Sequence, residues 1–184
     1  SDNYGDGLHI PVAHPGLRRL FAGSYTLEAK PWIDKMEGTI AEAPSPNWSE
    51  RRYQALLTEF THLPMERRRN WSYYRLWPNV AFDVYPDQVD FMQLLPVSAS
   101  ETLIREIAYA LPDNRREVGA ARYLNWRINR QVNAEDTKLL TGVQQGMTSS
   151  SYSTGPLSSS EVCLSAFARR FREALPDGTI EAFQ

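Results

Sequence analysis

An α+β fold, an antiparallel sheet wrapped on a long C-terminal helix, is what the second half of the chain predicts, on three observations. Between Ser72 and Tyr109 apolar residues recur at every second position in four runs. The turns between these runs are too short for a crossover, so neighbouring strands must pair antiparallel as a meander. From Asp113 to about Thr148 the period changes to three and four, the longest helical pattern in the chain. A helix laid across such a curved sheet encloses a cavity between the two, the helix-grip arrangement.

Taken in order, residues 2–22 read as a broken helix. Pro11 removes a backbone donor, Pro15-Gly16 closes the segment, and Leu17, Leu20 and Phe21 turn inward while Arg18 and Arg19 turn outward. Gly23 stops it. Ser24 to Ala29 and Gly38 to Ala43 carry short β-type alternation on either side of Pro31. After Pro44 and Pro46, Ser49 is placed to cap a helix running from Glu50 to about Leu63 on Tyr53, Leu56, Leu57 and Phe60. His62 reads as a surface residue at the end of that helix, and Arg67-Arg68-Arg69 as a solvated face.

The four strand candidates are Ser72–Trp77, Val80–Tyr85, Val89–Leu95 and Thr102–Tyr109, separated by Pro78-Asn79, Pro86-Asp87 and the stretch from Pro96 to Ser100. On the long helix, Val118, Ala121, Asn125, Ile128, Val132, Leu139 and Val143 mark the face toward the sheet. A serine-rich segment, 149–160, reads as a linker or a helix start. A last helix, Glu161 to about Leu175, places Val162, Leu164, Ala168 and Phe171 near one side.

Composition narrows the function. A chain of 184 residues is one domain by size, and its net charge of −2 favours no polyanionic partner, so nucleic acid is not expected. The single cysteine, Cys163, excludes an internal disulfide and any Cys-rich zinc or iron–sulfur site within the chain, which fits a reducing cytoplasm. No apolar run reaches the roughly 20 residues that span a bilayer, and no membrane partner is expected.

Chemistry concentrates at the N-terminus. Two of the three histidines, His9 and His14, stand five apart, with Asp6 three before the first. On a regular helix, positions five apart point about 140° away from each other, so a bent backbone is needed to bring both imidazoles to one small ion. Two imidazoles and one carboxylate with open positions left over is the donor set that suits non-haem Fe(II) for oxygen chemistry. On the long helix Asp136 lies close to the apolar stripe, where a carboxylate needs a cation or donors to meet it. By position alone it is either functional or ion-paired with Arg130 or Lys138, and Glu135 is its exposed neighbour.

The run Asp-Asn-Tyr-x-Asp-x-x-His-Ile-Pro-x-x-His-Pro-Gly-Leu resembles the mononuclear-iron motif of the α subunits of Rieske-type, ring-hydroxylating oxygenases. Gln131 to Asp136, Val143-Gln-Gln-Gly146, Tyr152-x-x-Gly-Pro-Leu157 and Glu161 look like the second iron segment of that family, and the Trp-Pro-Asn and Tyr-Pro-Asp turns also fit. The likeness covers nearly the whole chain, with residues 24–70 matching only loosely.

The resemblance implies a helix-grip (START/Bet v1-like) fold and a mononuclear Fe(II) held by His9, His14 and Asp136, with O2 as co-substrate and a small organic substrate in the cavity. It gives Asp6 a catalytic part, bridging to a histidine of a neighbouring subunit's cluster. From the residues alone, Asp6 is either an acceptor for the free ring nitrogen of His9 or an acid favoured at a helix N-terminus. A complete α subunit carries a [2Fe–2S] centre on two Cys and two His, a pattern this chain lacks, so residues 1–184 read as the C-terminal catalytic domain alone. Electrons would come from that absent domain and a reductase or ferredoxin, and the whole would form a homotrimer.

The motif details lean toward the branch acting on phenylpropionate-like acids and quaternary amines. They leave a cis-diol, an alcohol or a dealkylated amine open as product. Trp32, Trp48, Trp71 and Trp77 are candidates for an aromatic box around a cationic amine, or simply for the core. Two rival readings are a metal-free helix-grip domain that carries an apolar ligand and, less well supported for want of a general base, zinc hydrolysis on the same triad.

Overall fold

The computed structural model describes residues 8–175. Its centre is a six-stranded antiparallel meander in sequence order: β1 (Thr26–Ala29), β2 (Ile33–Thr39), β3 (Asn70–Leu76), β4 (Val80–Val84), β5 (Val89–Pro96) and β6 (Thr102–Tyr109). The four strands expected from period-two alternation are β3 to β6, displaced by two residues at most. Two short helices, α1 (His9–Ala13) and α2 (Pro15–Leu20), precede the sheet, and α3 (Trp48–Leu56) lies between β2 and β3. The long helix α4 (Arg116–Met147) and a final helix α5 (Val162–Ala174) complete the α+β helix-grip fold. No helix among the described residues is long and apolar enough to cross a membrane.

Trp71, fully buried, is the hub of the core. It meets Phe21, Tyr53 and Tyr85 edge-on, and Leu20, Met36, Leu57 and Val118 belong to the same cluster. Its indole N–H donates to Tyr53 Oη (3.1 Å), whose own hydroxyl donates to Asp87 Oδ1 (2.6 Å), and Asn125 Nδ2 donates to the same oxygen (3.1 Å). These bonds tie α3, β3, the β4–β5 turn and α4 together. They also explain why a polar residue, Asn125, occupies the apolar stripe of α4 with no exposure at all.

Several expectations need correction. The second strand is Ile33–Thr39, not Gly38–Ala43. Its inward residues are Asp34, Met36 and Gly38, and a buried aspartate hid the alternation, while Ile40 makes only an isolated bridge to Phe21. Asn47, not Ser49, caps α3, accepting from the backbone of Ser49 (2.9 Å) and Glu50 (3.3 Å). That helix ends at Leu56 and tightens into a 3₁₀ turn over Leu57–Glu59.

The arginine triplet is not merely solvated. Arg68 donates to Leu63 O (3.0 Å) and Arg69 to the carbonyls of Ile40 and Ala41, which fastens the β2–β3 excursion. On α5 the buried face is Cys163, Ala166 and Arg170, whereas Val162 and Phe171 are exposed.

The apolar stripe of α4 is buried from Val118 to Ile128 and partly at Val132, but Leu139 (46% exposed) and Val143 (57%) are not covered. Along the 32 residues of α4, about 48 Å, the positions after Asp136 are exposed, although Thr137 and Leu140 still border the space between α4 and the sheet.

Candidate metal centre

The two N-terminal histidines converge because the helix breaks at His14. His9 is the first residue of α1, and His14 stands between α1 and α2 with φ −123° and ψ 74°. Pro15 opens α2 and sterically drives the residue before it out of the helical region. Pro11, expected to cause the bend, lies in the first turn of α1, where its missing N–H would have had no partner in any case. Backbone hydrogen bonds survive the break: His14 N donates to Ile10 O (3.0 Å) and Arg18 N to His14 O (2.9 Å). The two rings meet edge-on with centroids 4.9 Å apart.

Asp136 comes to them from α4, 127 residues beyond His9. His9 Nε2 lies 3.0 Å from His14 Nε2 and 3.0 Å from Asp136 Oδ1, and His14 Nε2 lies 3.1 Å from Asp136 Oδ1. His14 is 1% exposed, and His9 and Asp136 are mostly buried. These three residues form a cluster able to hold a metal ion.

The triangle is close to equilateral, and its size is informative. A cation about 2.1 Å from each donor would see them at about 90° to one another, as three adjacent corners of an octahedron with the other three open. A tetrahedral zinc at the same bond length would want the donors about 3.4 Å apart. The donor set and its spacing are compatible with an octahedrally bound divalent cation, ferrous iron among them, that keeps three positions open.

One contact was not anticipated. His14 Nδ1 lies 2.8 Å from Glu135 Oε2, although Glu135 reads from the helical pattern as a solvent-facing neighbour. Burial works to lower the pKa of His14, but the hydrogen bonds to Asp136 and Glu135 outweigh it and hold the ring above its ordinary value.

A cavity of about 340 Å³ opens beside the triangle, between the inner face of the sheet and α4. His14 and Asp136 form part of its wall, with Leu17, Met36, Met92 and Leu94 among the apolar lining. Its charged lining among the described residues is acidic, Asp83, Glu106 and Asp136, with no lysine or arginine. A second space of about 330 Å³ shares Glu106, Asn129 and Asn133 with it and adds Asp90. Arg130 lines only this second space, where its guanidinium stacks on Trp126 at 5.2 Å.

Asp83 and Asp90 are direct cross-strand partners on β4 and β5. Burial pushes the Asp90 carboxyl up to about 6, with a bond from Gln88 opposing and the charges of Glu106 and Asp87 adding. The signal in the sequence was an acid in phase with inward positions: Asp83 lies between Ala81 and Tyr85, two residues from each, and all three are buried.

The catalytic-domain model of the ring-hydroxylating α subunits matches residues 1–177. The chain belongs to that family. Among solved structures it is similar to a quaternary ammonium Rieske monooxygenase, CntA, in complex with an inhibitor, at 20% identity and a TM-score of 0.56, over 82% of this chain and 37% of that one. It is also similar to a quaternary ammonium Rieske monooxygenase studied for carnitine oxidation and inter-subunit electron transfer, at 18% identity and a TM-score of 0.66, over 94% of this chain and 45% of that one. The chain thus spans less than half the length of either, and both likenesses bear on the fold. A comparison with curated proteins found no match.

Of the site residues expected in this ring-hydroxylating α-subunit domain, the structure brings together His9, His14 and Asp136. Asp6 lies outside the described residues. The four tryptophans considered for an aromatic box do not assemble: Trp71 is in the core, Trp32 and Trp48 are exposed, and Trp77 packs on Phe167 and Phe171. None of the four lines either space.

Proposed function

We propose that this domain is the catalytic part of a non-haem iron oxygenase that oxidises a small organic substrate held between the sheet and α4. The observation that carries the reading is the triangle of His9 Nε2, His14 Nε2 and Asp136 Oδ1, with edges of 3.0 to 3.1 Å, on the wall of a cavity of ligand size. A ferrous ion bound there supplies activation of O2 at its open positions. The chain's own part is to place the substrate and exclude water. Leu17, Met36, Met92 and Leu94 give an apolar enclosure. The break at His14 and the length of α4 fix the three donors on elements that pack against the core. Electrons would come from a [2Fe–2S] centre, for which this chain has no ligand set, through a reductase or ferredoxin, and the family's organisation points to a homotrimer.

The acidic lining bears on the substrate. Asp83 and Glu106 would repel a carboxylate and attract a cation or a strong donor, which favours an amine, protonated or quaternary, over an aromatic acid. That both similar structures are of quaternary ammonium monooxygenases agrees with this choice.

Metal analysis of the intact protein tests the site. Wild type purified anaerobically with Fe(II) should retain close to one iron per chain, and His14→Ala should retain almost none. Equal iron in the two would reject the oxygenase reading and leave a metal-free ligand carrier. Turnover with quaternary amines and aromatic acids, with [2Fe–2S] domain and reductase present, tests the substrate class. Activity on the acids alone would reject the cationic assignment.

A further inference from the structure

We infer that Glu135 is a positioning residue for the metal site: it holds the His14 ring in the orientation and tautomer that present Nε2, without a proton, to the ion. This rests on the reading of His9, His14 and Asp136 as metal ligands.

A neutral imidazole carries one proton on one of its two nitrogens, and only the bare nitrogen can bind a metal. Nε2 of His14 belongs to the donor triangle. Both nitrogens face a carboxylate oxygen, Nε2 that of Asp136 at 3.1 Å and Nδ1 that of Glu135 at 2.8 Å, so with an ion taking the lone pair of Nε2 the proton of the neutral ring belongs on Nδ1, where Glu135 accepts it. With His14 only 1% exposed, there is little room for water to compete for that proton.

Glu135 is itself fixed. Gln131, one turn earlier on α4, donates to Glu135 Oε1 at 3.1 Å, so both carboxylate oxygens are engaged. A line of bonds runs from Gln131 through Glu135 to the far side of the imidazole and ends at the donor atom. Asp136 Oδ1 and Glu135 Oε2 thus meet the two nitrogens of one ring from consecutive residues of one helix. A negative charge on the Nδ1 side also makes Nε2 a stronger donor. Solvation is not the role of Glu135, whose side chain is 28% exposed and turned along the ring of His14.

The test uses Co(II) as an air-stable probe and the intact protein, comparing wild type, Glu135→Gln and Glu135→Leu. Glu135→Leu, of similar size and with no acceptor, should weaken Co(II) binding about 10–100-fold. Glu135→Gln, whose amide oxygen can still accept from Nδ1, should fall between the two. Nitrogen-15 and proton shifts of the His14 ring in the protein loaded with diamagnetic Zn(II) should show an Nδ1–H hydrogen-bonded to a carboxylate in wild type and the loss of that bond in Glu135→Leu. Melting temperatures of the metal-free forms should stay within a degree or two of one another.

Co(II) affinity of Glu135→Leu within twofold of wild type would overturn the inference while leaving the metal site standing. So would equal losses in Leu and Gln variants matched by a fall in metal-free stability, which is the mark of a packing role. A wild type that takes up no Co(II) would overturn the metal-site reading and this inference with it.

Discussion

Asp90 lies on β5 opposite Asp83 of β4, both largely buried, and burial, with the charges of Glu106 and Asp87 adding to it, penalises the charged form of the Asp90 carboxyl. The consequence can be measured. The Asp90 carboxyl ionises near 3.8 in the unfolded chain and near 6 in the fold. Between those pH values the folded state holds the extra proton, so this group's contribution to stability falls as pH rises from about 4 to about 6 and is lost in full above that. Asp90→Asn should therefore stabilise the protein at pH 7, by about 1 kcal/mol once screening by water in the crevice is allowed for, and raise Tm by about 2–4 °C. It should also flatten the stability profile between pH 4 and 6. Thermal unfolding at pH 4, 6 and 8 checks this, and a variant melting below wild type at pH 7 would show that the carboxylate is held by attraction.

At the level of elements, helix α5 is docked by charge. Asp34, with no exposure, accepts from Arg75 (2.6 and 3.0 Å) and from Arg170 (2.7 and 2.8 Å). Arg75 also donates to Cys163 O (2.7 Å), and Arg170 to the carbonyls of Pro31 and Lys30. Removing the shared carboxylate leaves two guanidinium groups buried without it, so Asp34→Ala should cost about 3–5 kcal/mol. In denaturant titration with hydrogen exchange, α5 should lose protection first.

The same triad explains what pattern reading could and could not see. Strands β3 to β6 and helix α4 were legible because apolar residues recur through them at a constant period over a long stretch, even though Arg75, Asp83, Asp90 and Asn125 take buried positions there. Strand β2 and the buried face of α5 were not, because Asp34 and Arg170 occupy inward positions that a count of apolar residues assigns to solvent. The site divides in the same way. His9, His14 and Asp136 were legible from ligand chemistry and family likeness, whereas Glu135, Asp83 and Asp90 are acids whose partners come from other elements.

For the molecule as a whole, the candidate metal site joins the start of the described chain to its last third. Occupancy should therefore be felt as global stability: Fe(II) or Co(II) at a hundredfold excess over Kd adds about 2.7 kcal/mol, or about 5–10 °C in Tm. His14→Ala should show no such rise in calorimetry with and without chelator. The site also sits where α2 delivers Leu17 and Leu20 to the core. An ion that clips two places 127 residues apart closes a very long loop of chain. Such an ion would act as a rivet: with it out, the N-terminal helices should lift more readily, and limited proteolysis should cut at Arg18 and Arg19 faster in the metal-free than in the metal-loaded protein. Metal retention and durability would then share one fastener, and a variant that releases a bound ion more readily would also shed its own N-terminal cover.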